Sequence, residues 1–210
     1  LLLCTALAFF SIRYMEPRIE ILYSSQTKRV QRSHYARFFY LLPFFPVGFI
    51  GTILSTNLVS LYFFMEVLTL TLFFLMASFG YRDRIRVAFI SLAWGISGAL
   101  LFLVASLIVY SQVGSLEIAD LHQMAGNRLV IPTILLFLTG LMMKLAMVPF
   151  HVWMPWVHAE HPTCIAGLLA VYANMALYII IRVLVLPLAG DFARFGTPLM
   201  VLALITMIYG

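Results

Sequence analysis

One stretch constrains this chain more than any other: residues 129–162, LVIPTILLFLTGLMMKLAMVPFHVWMPWVHAEHP. Its first half nearly reaches the roughly 20 apolar residues that a helix needs to cross a bilayer, and Lys144 is the sole ionisable side chain there. A charged lysine near the middle of a span costs at least ~2.5 kcal/mol, so it requires a partner, a water-filled cavity, or both. The second half carries Pro149 and Pro155 together with His151, His158 and His161. Each proline removes a backbone donor and frees a carbonyl, which hydrocarbon cannot satisfy and a polar cavity can. A lysine placed just ahead of such an interruption reads as one station of an ion path.

Composition supports the same setting. The chain is 63% hydrophobic and only 10% charged, with a mean hydropathy of +1.04, whereas a soluble domain carries about 25% charged residues. This is the make-up of an integral, multi-pass membrane protein. The formal charge of +5 is no nucleic-acid signal, because the basic residues gather in short links between apolar runs. Cys4 and Cys164 match no metal spacing and imply no disulfide framework.

Taken in order, LLLCTALAFFSI reads as the tail of a membrane helix, and residues 13–37 as a polar link holding Arg13, Arg18, Lys28, Arg29, Arg32 and Arg37. Spans follow at about residues 38–54, with Pro43 and Pro46 in the first turns where a missing donor matters least, and at 58–79, containing Glu66. Arg82, Arg84 and Arg86 precede a span at 87–110, whose Ser91, Gly95 and Ala99 let a neighbouring helix approach closely. SLEIADLHQM suits a short interfacial helix, residues 163–186 form another span, and a last one opens after Asp191 and Arg194. The 210 residues read as a single membrane domain whose apolar ends resemble cuts through a longer chain, with an interrupted helix at 131–161. The nine lysines and arginines at 13–37 and 82–86 share one face, which the positive-inside rule makes cytoplasmic or its equivalent.

The sequence holds no glycine-rich phosphate loop, nucleophile elbow, paired-histidine zinc motif or haem signature. No bond-making chemistry, cofactor or metal is expected of the chain itself, so an intramembrane active site has little support beside ion transport or scaffolding. Glu66 lies mid-span among Tyr62, Phe63, Phe64 and Met65; it is either half of a structural ion pair or a carboxylate that tunes a nearby lysine. Lys144 is likewise a pairing partner or a proton-binding site, because burial and a nearby carboxylate pull its proton affinity in opposite directions. His151 and His158 follow Lys144 at successive intervals of seven residues. They can pass protons near neutral pH or simply bond to carbonyls freed by the prolines. Tyr172 and Asn174 on the span at 163–186 are candidates to bridge water, or to bond between helices. His161 and Glu160 are expected at the surface, and His34 and His122 in loops.

Several phrases together resemble one family. FFMEVLTLTLFFLMASFG is similar to the glutamate helix of the antiporter-like subunits of respiratory complex I, and MKLAMVPFHVWMPWVHAEHPT to their interrupted lysine helix. SIRYM and GLLAVYANMALYIIIRV resemble the third and eighth helices of the same subunits. Membrane-bound hydrogenases and multi-subunit sodium/proton antiporters share this subunit. The resemblance implies an all-α bundle of about fourteen helices built from inverted repeats, each with a discontinuous helix at its ion site, of which this chain covers about helices three to nine.

Carried over residue by residue, the resemblance makes Glu66 the key glutamate, Lys144 the key lysine, and His151 the group after the proline. It implies proton or sodium/proton translocation within an energy-transducing membrane, beside other membrane subunits that supply redox chemistry or sodium flow. Two departures stand out: Asn174 occupies the position of a lysine or histidine, and Trp153-Met154-Pro155-Trp156 lacks the acid of the usual W-L-P-D. Lateral transfer beyond Lys144 is therefore expected to use water with Asn174 or Tyr172. The rival expectation is a scaffold subunit that has lost conduction.

Overall fold

A computed structural model describes residues 2–209, and among them the chain is all-α. Ten helices follow one another: α1 (Leu2–Leu22), α2 (Lys28–Leu41), α3 (Phe44–Leu54), α4 (Leu58–Phe79), α5 (Arg84–Val113), α6 (Val130–Leu145), α7 (Trp153–Glu160), α8 (Ala166–Ile180), α9 (Ala189–Phe192) and α10 (Gly196–Tyr209). Short 3₁₀ turns at Ile118–Met124, Phe150–Val152, Thr163–Ile165 and Ala193–Phe195 link them, and a π-helical turn, Ile181–Val185, extends α8. By length and composition six segments suit a membrane crossing: Lys28–Leu54, Leu58–Phe79, Arg84–Val113, Val130–Glu160, Thr163–Val185 and Ala189–Tyr209.

The stretch expected to be a polar link at 13–37 is mostly helix. α1 continues to Leu22 and α2 starts at Lys28: Arg13, Lys28, Arg29, Arg32 and Arg37 lie on exposed faces of these helices, and Arg18 finds partners. Arg18 donates to the carbonyls of Phe79 (3.3 Å) and Gly80 (3.1 Å) at the end of α4 and lies over the Tyr81 ring, 3.8 Å from its centroid. A cation there complements the bare carbonyls at a helix C-terminus. His34, expected in a loop, lies in α2 and stacks on Tyr23 at 3.8 Å. α5 overruns its expected 87–110 span by a turn at its start and ends at Gly114, whose φ of 76° supplies the left-handed cap.

The basic links do meet on one side. Tyr81 N donates to Glu160 O (2.8 Å) and Asp83 N to Glu160 Oε2 (3.0 Å), so the ends of α4 and α7 are tied together beside Arg18. On the opposite side Asn57 caps α4 through Ser60 N (2.8 Å). Leu58 and Ile118 exchange backbone bonds with Leu116 and Thr56 there, which seats the expected SLEIADLHQM helix with Leu121 and Met124 fully buried. Arg182 donates to Ile53 O (2.7 Å) at the end of α3, a second cation on a helix C-terminus.

α5 is the central strut: α4 packs along one side of it and α6 along another. The α5–α6 crossing is close because glycine faces glycine. A Cβ on Gly98 would come within 2.6 Å of Gly140 O, and one on Gly140 would collide with Gly98 O. About one turn away Phe102 and Phe137 meet edge-on at 4.8 Å, both fully buried. Backbone cannot move aside as a side chain can, so Gly140→Ala must push the helices apart. It should lower unfolding stability in detergent by about 1–3 kcal/mol, measured by denaturant titration of the purified protein. Gly190→Ala, with nothing within 4 Å of its new carbon, should leave that stability nearly unchanged.

Candidate functional site

The helix that begins at Val130 stops at Leu145, one residue after the lysine. Ala146 takes the left-handed conformation (φ 54°, ψ 42°) and the Val148–Pro149 peptide is cis. A 3₁₀ turn, Phe150–Val152, leads into α7. Backbone groups left bare inside a membrane cost several kcal/mol each unless paired, and here named side chains pair them. The Trp153 indole donates to Met143 O (2.9 Å), and Val148 N donates to the Thr206 hydroxyl of α10 (3.1 Å). Met142 O takes Met147 N (3.1 Å).

Lys144 therefore sits on the last turn of α6, at the negative end of the helix dipole, where a cation is favoured. It is 4% exposed. Its ammonium donates to Thr69 Oγ1 at 2.8 Å and stands 3.6 Å from Glu66 Oε1. That carboxylate oxygen is buried and makes no hydrogen bond among the described residues. Thr69 bonds in turn to Met65 O (2.9 Å) and, at 3.3 Å, to the Tyr172 hydroxyl from α8. The Tyr172 ring centroid lies 5.9 Å from the Lys144 nitrogen. Three helices that share no sequence neighbourhood thus deliver a carboxylate, an ammonium and two hydroxyls to one spot inside the bundle.

The structure brings together three of the six candidates: Glu66, Lys144 and Tyr172. Asn174 is exposed, for a simple reason: two residues on a helix are about 200° apart, so Tyr172 turned inward sends Asn174 outward. His151 is partly buried, its Nδ1 has no hydrogen-bond partner among the described residues, and its ring meets Tyr209 edge-on at 5.0 Å. His158 is exposed and bonded through Nδ1 to His161 Nε2 at 3.3 Å.

His161, expected at the surface, is instead 6% exposed and holds Pro162 O at 3.0 Å. The chain turns inward after α7 to start the Thr163–Ile165 turn, and it carries the imidazole with it. Thr69 escaped the sequence reading although its spacing, three residues after Glu66, places it on the same helical face. Gly95 was legible only as a packing position. The capping roles of Trp153 and Arg182 had no signal, since each depends on a carbonyl from a distant segment.

With this geometry in view, the comparisons are direct. Residues 55–210 match the family described as NADH:quinone oxidoreductase/Mrp antiporter, TM, and the chain belongs to that family. The Staphylococcus aureus (strain JH9) protein designated antiporter subunit mnhA2 is 31% identical over 196 residues, 90% of this chain and 24% of its own length. Its counterpart in strain USA300 is 30% identical over the same length. The chain thus spans about a quarter of the curated relatives it matches.

Among solved structures, the Mrp complex from Dietzia sp. DQ12-45-1b superposes with a TM-score of 0.67 at 22% identity, covering 72% of this chain and 29% of that one. Respiratory complex I from Thermus thermophilus gives 0.61 at 26% identity, covering 70% and 34%. The archaeal membrane-bound sulfane sulfur reductase gives 0.60 at 23%, covering 66% and 29%. The fold is that of an antiporter-like subunit of multi-subunit membrane complexes.

Two outcomes follow from the local chemistry. Trp153→Phe keeps the ring but removes the donor, leaving Met143 O unpaired, and should cost about 1–3 kcal/mol of unfolding stability, read by denaturant titration. At His161, which lies between the spanning segments, burial pushes the imidazole below its usual value near 6.5; the bond to Pro162 O opposes this and the neighbouring His158 adds to it. A group whose proton affinity falls on folding contributes its stability above about 6.5 and loses it as pH drops. Between about pH 7.5 and 5.5 the thermal midpoint of the wild type should therefore fall further than that of His161→Asn.

Proposed function

We propose that this chain carries an ion-translocating unit, with the proton as the favoured ion, in which Lys144 binds and releases the proton and Glu66 sets how firmly it is held. The observation that carries the reading is the buried ammonium standing 3.6 Å from a buried carboxylate oxygen. At that distance and an effective dielectric near 20 the attraction is roughly 4 kcal/mol, and the cost of taking two ions out of water is of similar size. The balance is close. Widening the gap by about 2 Å removes roughly 1.5 kcal/mol of attraction. A small relative motion of α4 and α6 is then enough to load or discharge the site.

His151 is assigned to connect Lys144 with one side of the membrane. It follows the helix interruption, and its ring nitrogen is buried without a partner among the described residues. Tyr172 is the group placed to lead toward α8. Lipid-facing helices and the family's association with complexes of several membrane subunits support partners of that kind, and the organisation into inverted repeats remains part of the same reading. The rival role, a scaffold that holds a complex together without conducting, draws on one observation: Asn174 faces away from the Lys144 cluster, so no residue of the basic type met in relatives continues the path at that position.

The two readings separate in the full-length protein, assembled with its complex and reconstituted into vesicles. Lys144→Ala should leave assembly intact and cut ion transport at least tenfold, about the effect of losing one charged hydrogen-bonding group. Transport at the wild-type rate in that variant would remove Lys144 from the mechanism and leave the scaffold reading.

A further inference from the structure

The nearest partner of Lys144 is not the carboxylate but a hydroxyl, 2.8 Å against 3.6 Å. Thr69 has one proton to give, and its bond to Met65 O, one turn back on α4, uses it. The remaining lone pairs face Lys144 and the Tyr172 hydroxyl, so Thr69 accepts from the lysine whether that side chain is an amine or an ammonium. The hydroxyl is 3% exposed as part of its residue, and water does not compete for it freely.

What points the hydroxyl that way lies on a third helix. The Thr69 methyl is directed at Gly95 of α5, where a Cβ would come within 2.6 Å of Cγ2 while standing 3.6 Å from Oγ1. A β-branched side chain has few χ1 settings. With the methyl taking the space that glycine leaves, the hydroxyl turns toward α6 and α8. From this we infer that Gly95 and Thr69 form a positioning device for the proton carrier: the glycine fixes the threonine rotamer, and the threonine holds the Lys144 nitrogen between Glu66 and Tyr172. Neither is a catalytic residue in its own right; both act through Lys144. The inference rests on the reading of Lys144 as the ion-binding group, and it adds the residues that place it.

The test is a set of variants in the full-length protein within its assembled complex, reconstituted into vesicles and assayed for ion transport. Thr69→Val keeps the shape and removes the acceptor, and Thr69→Ser keeps the acceptor and removes the methyl. Thr69→Val should lower transport about tenfold with assembly unchanged, while Thr69→Ser stays within about threefold of wild type.

Gly95→Ala should be impaired about as much as Thr69→Val. Adding Thr69→Ser to it should restore transport, since the clashing methyl is gone and the remaining contacts at 3.6–3.7 Å are ordinary ones. Equal transport by Thr69→Val and Thr69→Ser overturns the proposal, as does a double variant no better than Gly95→Ala alone. Should Gly95→Ala fail to assemble, the Val and Ser pair decides by itself. Lys144→Ala run alongside separates the two levels. If it is inactive while Thr69→Val is normal, only the positioning role falls; if it transports normally, the lysine reading falls and takes this one with it.

Discussion

An ammonium group enclosed in an apolar bundle is the fact to which the rest of this structure answers. Lys144 cannot stay there on its own terms, because desolvation of a single charge costs several kcal/mol. It is kept by four things at once: a carboxylate from α4, a hydroxyl one turn further along the same helix, the ring of Tyr172, and the carbonyl end of its own helix. Each of these is weak in isolation. Together they make a buried ammonium tolerable inside the bundle.

The glycines serve that arrangement. α5 bears neither charge, yet it lies against both of the helices that do. Gly98 lets it press on α6 at Gly140, and Gly95 lets it press on α4 at Thr69. The gap between carboxylate and ammonium is therefore set by a helix whose own contribution is the absence of side chains. Membrane helices gain little from apolar contact with one another, since lipid is equally apolar, so close approach of this kind carries much of their association.

Much of this was legible beforehand, and the reasons differ from residue to residue. The spans announced themselves by length and hydropathy, and the basic links by charge. Lys144 and Glu66 stood out because ionisable groups are costly where they lie. Tyr172 and Asn174 could not be told apart by polarity, although helical rotation alone forbids both from facing one point. The helicity of residues 13–37 was hidden because its determinants are distant: Arg18 is satisfied by carbonyls at Phe79 and Gly80, some sixty residues away. His161 was misplaced for the same kind of reason, since only the inward turn of the chain after α7 buries it.

The bond from the Trp153 indole to Met143 O joins α6 and α7 by something other than the chain between them. The acceptor belongs to the peptide group that immediately precedes Lys144, and the donor belongs to the first residue of α7. The indole proton covers the negative pole of that carbonyl, and without it the pole would stand bare beside the lysine. The seating of one short helix thereby bears on the local potential at a charge carried by another.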